Sequence, residues 1–183
     1  MNRPMIRRLL LGAAVLLLPQ PAGAQEKNWL QISQVHDGLW RGRMPFLESH
    51  YEKLQALGIR TVLDIRGTQP VQSWVESRQA PRHGLVYWQV PLSFHPLKDG
   101  SGEAVLAAMQ DVSAYPMYIH CEIDRDRTSA IIGVYRMRVQ GWSKEAATAE
   151  AHEFGIRRYY IGLNRYLDAG GDLQSRSRLI RHK

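Results

Sequence analysis

The sequence predicts an α/β fold: a central, largely parallel sheet flanked by helices. Three short runs, Ile59–Ile65 (IRTVLDI), Leu85–Leu92 (LVYWQVPL) and Met117–His120 (MYIH), have the length and the β-branched or aromatic content of buried strands. Between and after them lie stretches with apolar residues at helical spacing, such as Leu47, Tyr51, Leu54 and Leu57. Strands that alternate with helices pack as a layered domain whose sheet is mostly parallel.

Taken in order, residues 25–45 read as an irregular lead-in ending in Leu39-Trp40-Arg41-Gly42-Arg43-Met44-Pro45. The next pattern predicts a helix over 47–57, with Gly58 ending it. Ile59–Ile65 follows as the first strand. Residues 70–80 form a polar helix that Pro81 to Gly84 break, and Leu85–Leu92 is the second strand. SFHPLKDGSG (93–102) is a loop carrying Pro96 and an Asp-Gly turn. A helix over about 103–112 leads to Pro116, which opens the third strand at 117–120. TSAIIGVYRMRV (128–139) is apolar enough to be a mostly buried helix, stopped by Gly141. Ser143 is a good N-cap for the helix SKEAATAEAHEF, and a last helix covers 158–168. No internal repeat or low-complexity stretch interrupts this order.

The chain begins with a basic region (Arg3, Arg7, Arg8), an uncharged run from Leu9 to Leu18, and the small residues Ala22-Gly23-Ala24. That order predicts a secretory signal peptide over 1–24, cleaved after Ala24, and a periplasmic or secreted product. The apolar run is shorter than the roughly 20 residues a spanning helix needs, which leaves an uncleaved anchor as the alternative. One domain over 25–171 and a basic tail over 172–183 remain. The chain carries 24 Lys+Arg against 17 Asp+Glu, net +7. Removing the three arginines of the signal lowers this to +4, and the tail holds most of what is left, so the folded body is close to neutral. With neither a basic face on the body nor a matching fold motif, a nucleic-acid partner is excluded. The tail is read as a solvated terminus whose partners are at most anionic surfaces, weakly held.

Cys121 is the only cysteine, so no internal disulfide is available to an exported chain. It is either buried and inert or chemically employed, and its neighbours decide. YIHCEIDRDRTS (118–129) has the order strand, short loop, helix. In an open α/β sheet ligands sit beyond the carboxyl ends of the strands, and a helix N-terminus presents free N–H groups to an anion or a thiolate. Arg127, in the first turn, can grip two phosphate oxygens in a fork. Thiolate, amide cradle and arginine make a nucleophile that attacks phosphorus while the developing charge is held.

His120-Cys121, five residues, then Arg127-Thr128 resembles the HCx5R[ST] signature of the cysteine-dependent protein tyrosine and dual-specificity phosphatases. Further likeness runs over about 39–155. Leu39-Trp40-Arg41-Gly42 with Pro45 is similar to that family's LYRS-x-x-P segment, and Leu57–Arg66 to its LGI-x-x-VI-DLR strand. Gln140–Ala146 is similar to the QGWS-x-EEA helix start of small bacterial members. The resemblance implies a phosphate-binding loop between strand and helix, with Cys121 as nucleophile forming a phosphocysteine and Arg127 binding the phosphoryl oxygens. The amides of Glu122, Ile123, Asp124, Arg125, Asp126 and Arg127 would line the cradle, and Thr128 would hydrogen-bond the sulfur. His120 would order the loop from behind, or is simply a satisfied strand-end histidine. Asp64 and Arg66 are read as structural. No metal or other cofactor is implied. The substrate would be a phosphorylated protein, an inositol phosphate or a phosphoinositide.

Two departures stand out. Asp124 occupies the place of the family's usual loop glycine, where a positive φ would cost aspartate about 1 kcal/mol. Glu122, Asp124 and Asp126 also set three carboxylates beside a dianion, which they would repel unless they form an outward, solvated rim. For the general acid, which the family carries on a loop before the active strand, Asp99 is the aspartate in the right region, with His95 and Glu103 as further candidates. The alternatives to an active phosphatase are a catalytically impaired phosphate-binding pseudophosphatase module and, more remotely, a rhodanese-like sulfur carrier.

Overall fold

The computed structural model describes residues 29–67 and 69–172. The expected signal at 1–24 and the tail beyond Asp172 lie outside the described residues. One sheet holds five strands, β1 (Ser33–His36), β2 (Leu39–Gly42), β3 (Thr61–Asp64), β4 (Val86–Gln89) and β5 (Met117–His120), in the order β1-β2-β5-β3-β4. Strand β5 is parallel to both its neighbours and β3 is parallel to β4, whereas β1 and β2 pair antiparallel. The helices are α1 (Glu48–Ala56), α2 (Pro70–Arg82), α3 (Pro96–Asp99), α4 (Ser101–Met109), α5 (Asp126–Arg138), α6 (Lys144–Glu153) and α7 (Ile161–Asp168). Among the described residues no helix is long and apolar enough to cross a membrane.

The α/β reading holds, and the period-2 alternation of strands explains the two cores. Met117 and Ile119 face one cluster, which includes Val105, Ile131, Val134 and Leu163; Tyr118 faces the other, with Tyr51, Leu54, Val62 and Leu85. All four residues of β5 are buried, as expected of a central parallel strand covered on both faces. Helix α5 is buried continuously from Asp126 to Arg136, so it packs as a core helix rather than a surface one. Its Gly133 lets α7 approach: a Cβ there would lie 2.4 Å from Leu167 Cδ1.

Several boundaries differ from expectation. The supposed irregular lead-in contains β1 and β2, joined by a tight turn at Asp37-Gly38 with Gly38 at φ +86°. Asp-Gly is a strong hairpin signal, but it lies between a polar strand and a strand of only four residues. Helix α2 runs through Pro81 to Arg82, because a proline in the last turn removes one bond of a ladder that is ending anyway. The expected loop 93–102 contains α3, whose Pro96 occupies the first turn and whose end is Gly100 at φ +71°. The last helix starts at Ile161 rather than 158, whereas the Ser143 cap is as expected, its Oγ accepting from the Ala146 N–H at 3.2 Å.

Candidate active site

Strand β5 delivers Cys121 to the carboxyl edge of the sheet, between β2 and β3, and the chain then turns through 121–125 into α5. The loop is fixed at both ends. His120, fully buried, donates from Nδ1 to the Cys121 carbonyl oxygen at 2.7 Å. Its Nε2 lies 2.8 Å from Glu76 Oε1, an ion-pair approach. Burial by itself would lower this imidazole, but the Glu76 carboxylate overrides it and raises the pKa. Thr128, at the other end, accepts from the Cys121 N–H at 3.0 Å through its Oγ1. The bond observed at Thr128 is thus to the main chain of Cys121, in place of the expected one to the sulfur.

Behind His120 lies a buried polar cluster. The Asp64 carboxylate accepts from Arg66 (N 2.8 Å, Nε 2.8 Å, Nη2 2.8 Å), from Ser73 Oγ at 2.7 Å and from Tyr87 Oη at 2.8 Å. Burial pulls its pKa upward, yet the Arg66 bonds outweigh that and hold it at about 2. Arg66 also pairs with Glu76. Asp64, Glu76 and His120 are close enough together to ligate a metal ion, but the Arg66 guanidinium already pairs with both carboxylates. Their chemistry is that of a rigid support for β5, which agrees with the structural reading of Asp64 and Arg66.

The three loop acids do not form a solvated rim. Glu122 is exposed, but Asp124 and Asp126 are each only 5% exposed. Asp124 adopts φ +56° and is paired with Arg41, and Asp126 is gripped by Arg157, whose N–H and Nε reach Oδ1 at 2.9 and 3.1 Å. Two carboxylates that would repel a dianion are therefore neutralised by arginines 83 and 31 positions away. Arg125 is tied down as well, donating from Nε to the Gly155 carbonyl at 3.2 Å.

A cleft of about 340 Å³ opens over this loop, lined by Phe94, Cys121, Glu122, Ile123, Asp126, Arg127, Arg157 and Tyr160. Arg127 is 5% exposed, with its guanidinium 4.9 Å from the Phe94 ring centroid and Nη1 buried with no partner among the described residues. A buried, unpaired arginine donor beside a cysteine and a helix N-terminus is an anion site by its chemistry, because the first-turn N–H groups have no acceptor within the helix. Of the predicted loop residues, Asp124, Arg125 and Thr128 lie outside the lining and hold the loop from behind.

Asp99 is not brought to the cleft. It is exposed, and hydrogen bonds from Ser93 and from Ser101 lower its pKa, with the Ser101 N–H at 2.9 Å from Oδ1. A carboxylate that caps the start of α4 is ionised and poorly placed to protonate a leaving group. Glu103 pairs with Arg138, and His95 lines a separate pocket with Lys98 and Arg165. Sequence reasoning also missed the cleft wall: Phe94 and Tyr160 stack at 4.8 Å, and Arg157 lies beside Tyr160. They come from two distant turns, between which the sequence carries no periodic signal.

Comparison with known proteins agrees with this geometry. A family model described as "Tyrosine phosphatase family" matches residues 28–169. The dual specificity protein phosphatase TpbA of Pseudomonas aeruginosa is 28% identical over 138 residues, 74% of this chain and 60% of its own length. The chain thus spans about three fifths of the length of that relative. Among solved structures, P. aeruginosa TpbA superimposes with a TM-score of 0.65 at 22% identity, covering 84% of this chain and 92% of that one. The core catalytic domain of the PP-IP phosphatase SIW14 from S. cerevisiae gives 0.60 at 21% identity, over 81% and 89%. With its Cys-x5-Arg loop at the carboxyl edge of a central parallel strand, the chain belongs to the tyrosine phosphatase family.

Proposed function

We propose that the protein is an exported phosphomonoesterase that works through a phosphocysteine and favours aryl phosphates such as phosphotyrosine. The observation that carries this is the pairing of Cys121 with the buried, unpartnered Arg127 guanidinium in one cleft. The Cys121 thiolate attacks phosphorus in line. The P–O bond breaks with its electron pair staying on the leaving oxygen, which departs as a phenolate and takes its proton from water, and an S–P bond forms. Water then attacks phosphorus, the S–P bond breaks, and orthophosphate leaves with the thiolate restored. Arg127 and the first-turn amides hold the equatorial oxygens in both steps. The stacked rings of Phe94 and Tyr160 offer an apolar wall of the kind that packs a phenyl ring. An aryl leaving group is also the one that departs most readily without a strong general acid. Among the described residues lining the cleft, Glu122 is the carboxylate without an arginine partner.

TpbA has been crystallised in complex with pTyr, and SIW14 is a PP-IP phosphatase, which makes an aryl phosphate and an inositol phosphate the two substrates to compare. Acid-quenched protein mixed with 32P-labelled phosphotyrosine peptide is expected to carry label on Cys121, with turnover unaffected by a chelator. A chain that binds phosphate but never acquires label would instead be the impaired binding module. Faster turnover of the inositol phosphate than of the aryl ester would overturn the aryl preference.

Export rests on the basic, apolar and small-residue order of residues 1–24. The mature protein is expected to begin at Gln25 and to fractionate outside the cytoplasm. Cytoplasmic protein retaining Met1 by mass spectrometry would refute this.

A further inference from the structure

We propose that Arg41 is a positioning residue of the phosphate-binding loop, gripping Asp124 so that the loop keeps a left-handed turn that glycine would adopt unaided. The inference rests on the phosphatase reading of the Cys121 loop and deepens it. Asp124 stands at φ +56°, a conformation that costs a non-glycine residue about 1 kcal/mol. Its carboxylate is also buried, and a lone buried carboxylate is costly to keep ionised. Nothing within the loop answers either cost.

Arg41 answers both. From strand β2, which pairs with β5 in parallel register, its Nε donates to Asp124 Oδ1 at 3.0 Å and Oδ2 at 3.1 Å. Its Nη2 donates to the Asp124 carbonyl at 3.1 Å and to Ser129 Oγ at 2.8 Å. One guanidinium therefore holds the side chain, the main chain and the first turn of α5 together. It is itself 2% exposed and lies 3.5 Å over the Phe154 ring centroid, so its own position is fixed. Burial pushes the Asp124 carboxyl up to about 6, against the pull of Arg41 first and of His120 and Arg43 behind it.

The link to chemistry runs through peptide orientation. A left-handed residue within a loop turns successive N–H groups to the same side, forming an anion-binding concavity. A relaxation of Asp124 to negative φ would rotate the neighbouring peptide and turn an amide away from the phosphoryl oxygens. Arg41 is outside the cleft lining and touches no substrate, so it acts through the loop alone.

The test is a rescue. Arg41→Met leaves Asp124 buried and strained, with no partner for its carboxyl group. It is expected to lower kcat by about 30-fold and to weaken binding of inorganic phosphate by about tenfold, or about 2 and 1.4 kcal/mol. Phosphate binding is read by its protection of Cys121 from iodoacetamide, which needs no turnover. Asp124→Gly alone supplies the backbone freedom but orphans Arg41, so its main effect is a lower melting temperature. The double variant Arg41→Met/Asp124→Gly removes both charges and lets glycine take the turn. It is expected to restore kcat and phosphate affinity to within about threefold of wild type. An Arg41→Met chain that does not fold alone, but folds and turns over once Asp124→Gly is added, is the same rescue in stronger form. A double variant as inactive or as unfolded as Arg41→Met overturns the proposal. So does an Arg41→Met protein that melts earlier while keeping its kcat and phosphate affinity. Wild type that binds phosphate without turnover would defeat the phosphatase reading, while the phosphate-affinity rescue would still report on Arg41.

Discussion

Cys121→Ser is expected to reduce hydrolysis of p-nitrophenyl phosphate to background, a loss of at least about 10⁴-fold or 5.5 kcal/mol in kcat/KM. A serine hydroxyl needs a base to become a nucleophile, and among the described residues lining the cleft the one carboxylate without an arginine partner is the exposed Glu122. They include no histidine, and the Asp126 carboxylate is occupied by Arg157. His120 is adjacent in sequence, but its ring is committed to the Cys121 carbonyl and to Glu76, behind the loop. Serine is isosteric enough to fit the 3% exposed site without a cavity, so melting temperature and phosphate binding are expected to persist. Hydrolysis at the wild-type rate by folded Cys121→Ser would mean that the reaction does not pass through the sulfur.

The fold and the chemical centre were legible because both are written locally. Strand β5, the 121–125 turn and helix α5 are contiguous, so the position of Cys121 at the edge of the sheet follows from the order of four-residue strand, short loop and apolar helix. Positive φ at position 124 was likewise readable, since the residue stands where a glycine is usual. The neutralisation of the loop acids was not. Arg41 falls in what the sequence predicts to be an irregular lead-in, and its role emerges only when the sheet order brings β2 beside β5. Arg157 sits in the turn between α6 and α7, where no periodicity marks it. Such long-range ion pairs depend on how helices and strands pack, and a single sequence carries no record of which arginine faces which acid.

The general acid shows the same limit from the other side. Asp99 has the right type and lies in the right segment, but its side chain serves the first turn of α4 by accepting from Ser101. Asp before a helix start is a common cap, and capping competes with every other use of the carboxylate. The residue at the cleft from that segment is instead Phe94, which contributes packing rather than a proton. The proposed chemistry is therefore expected to draw mainly on the electrostatic half of the site.

Arg127→Lys measures that half. In the transition state the equatorial phosphoryl oxygens gain most from a planar donor pair, which a guanidinium presents in fixed geometry and an ammonium does not. The loss is expected to be about 10²- to 10³-fold in kcat/KM, or 2.7–4 kcal/mol, the range seen when one preorganised oxyanion donor is removed. It should fall mainly on kcat, because a lysine still attracts the ground-state dianion as a point charge. The fold is expected to survive: Arg127 forms no ion pair within the described residues, and its one ring contact is with Phe94 at the cleft wall. Circular dichroism and melting temperature close to wild type, together with the fall in kcat, would assign the loss to chemistry. Turnover within threefold of wild type would show that the loop amides alone carry the charge and that the unpartnered Nη1 is not the phosphate donor.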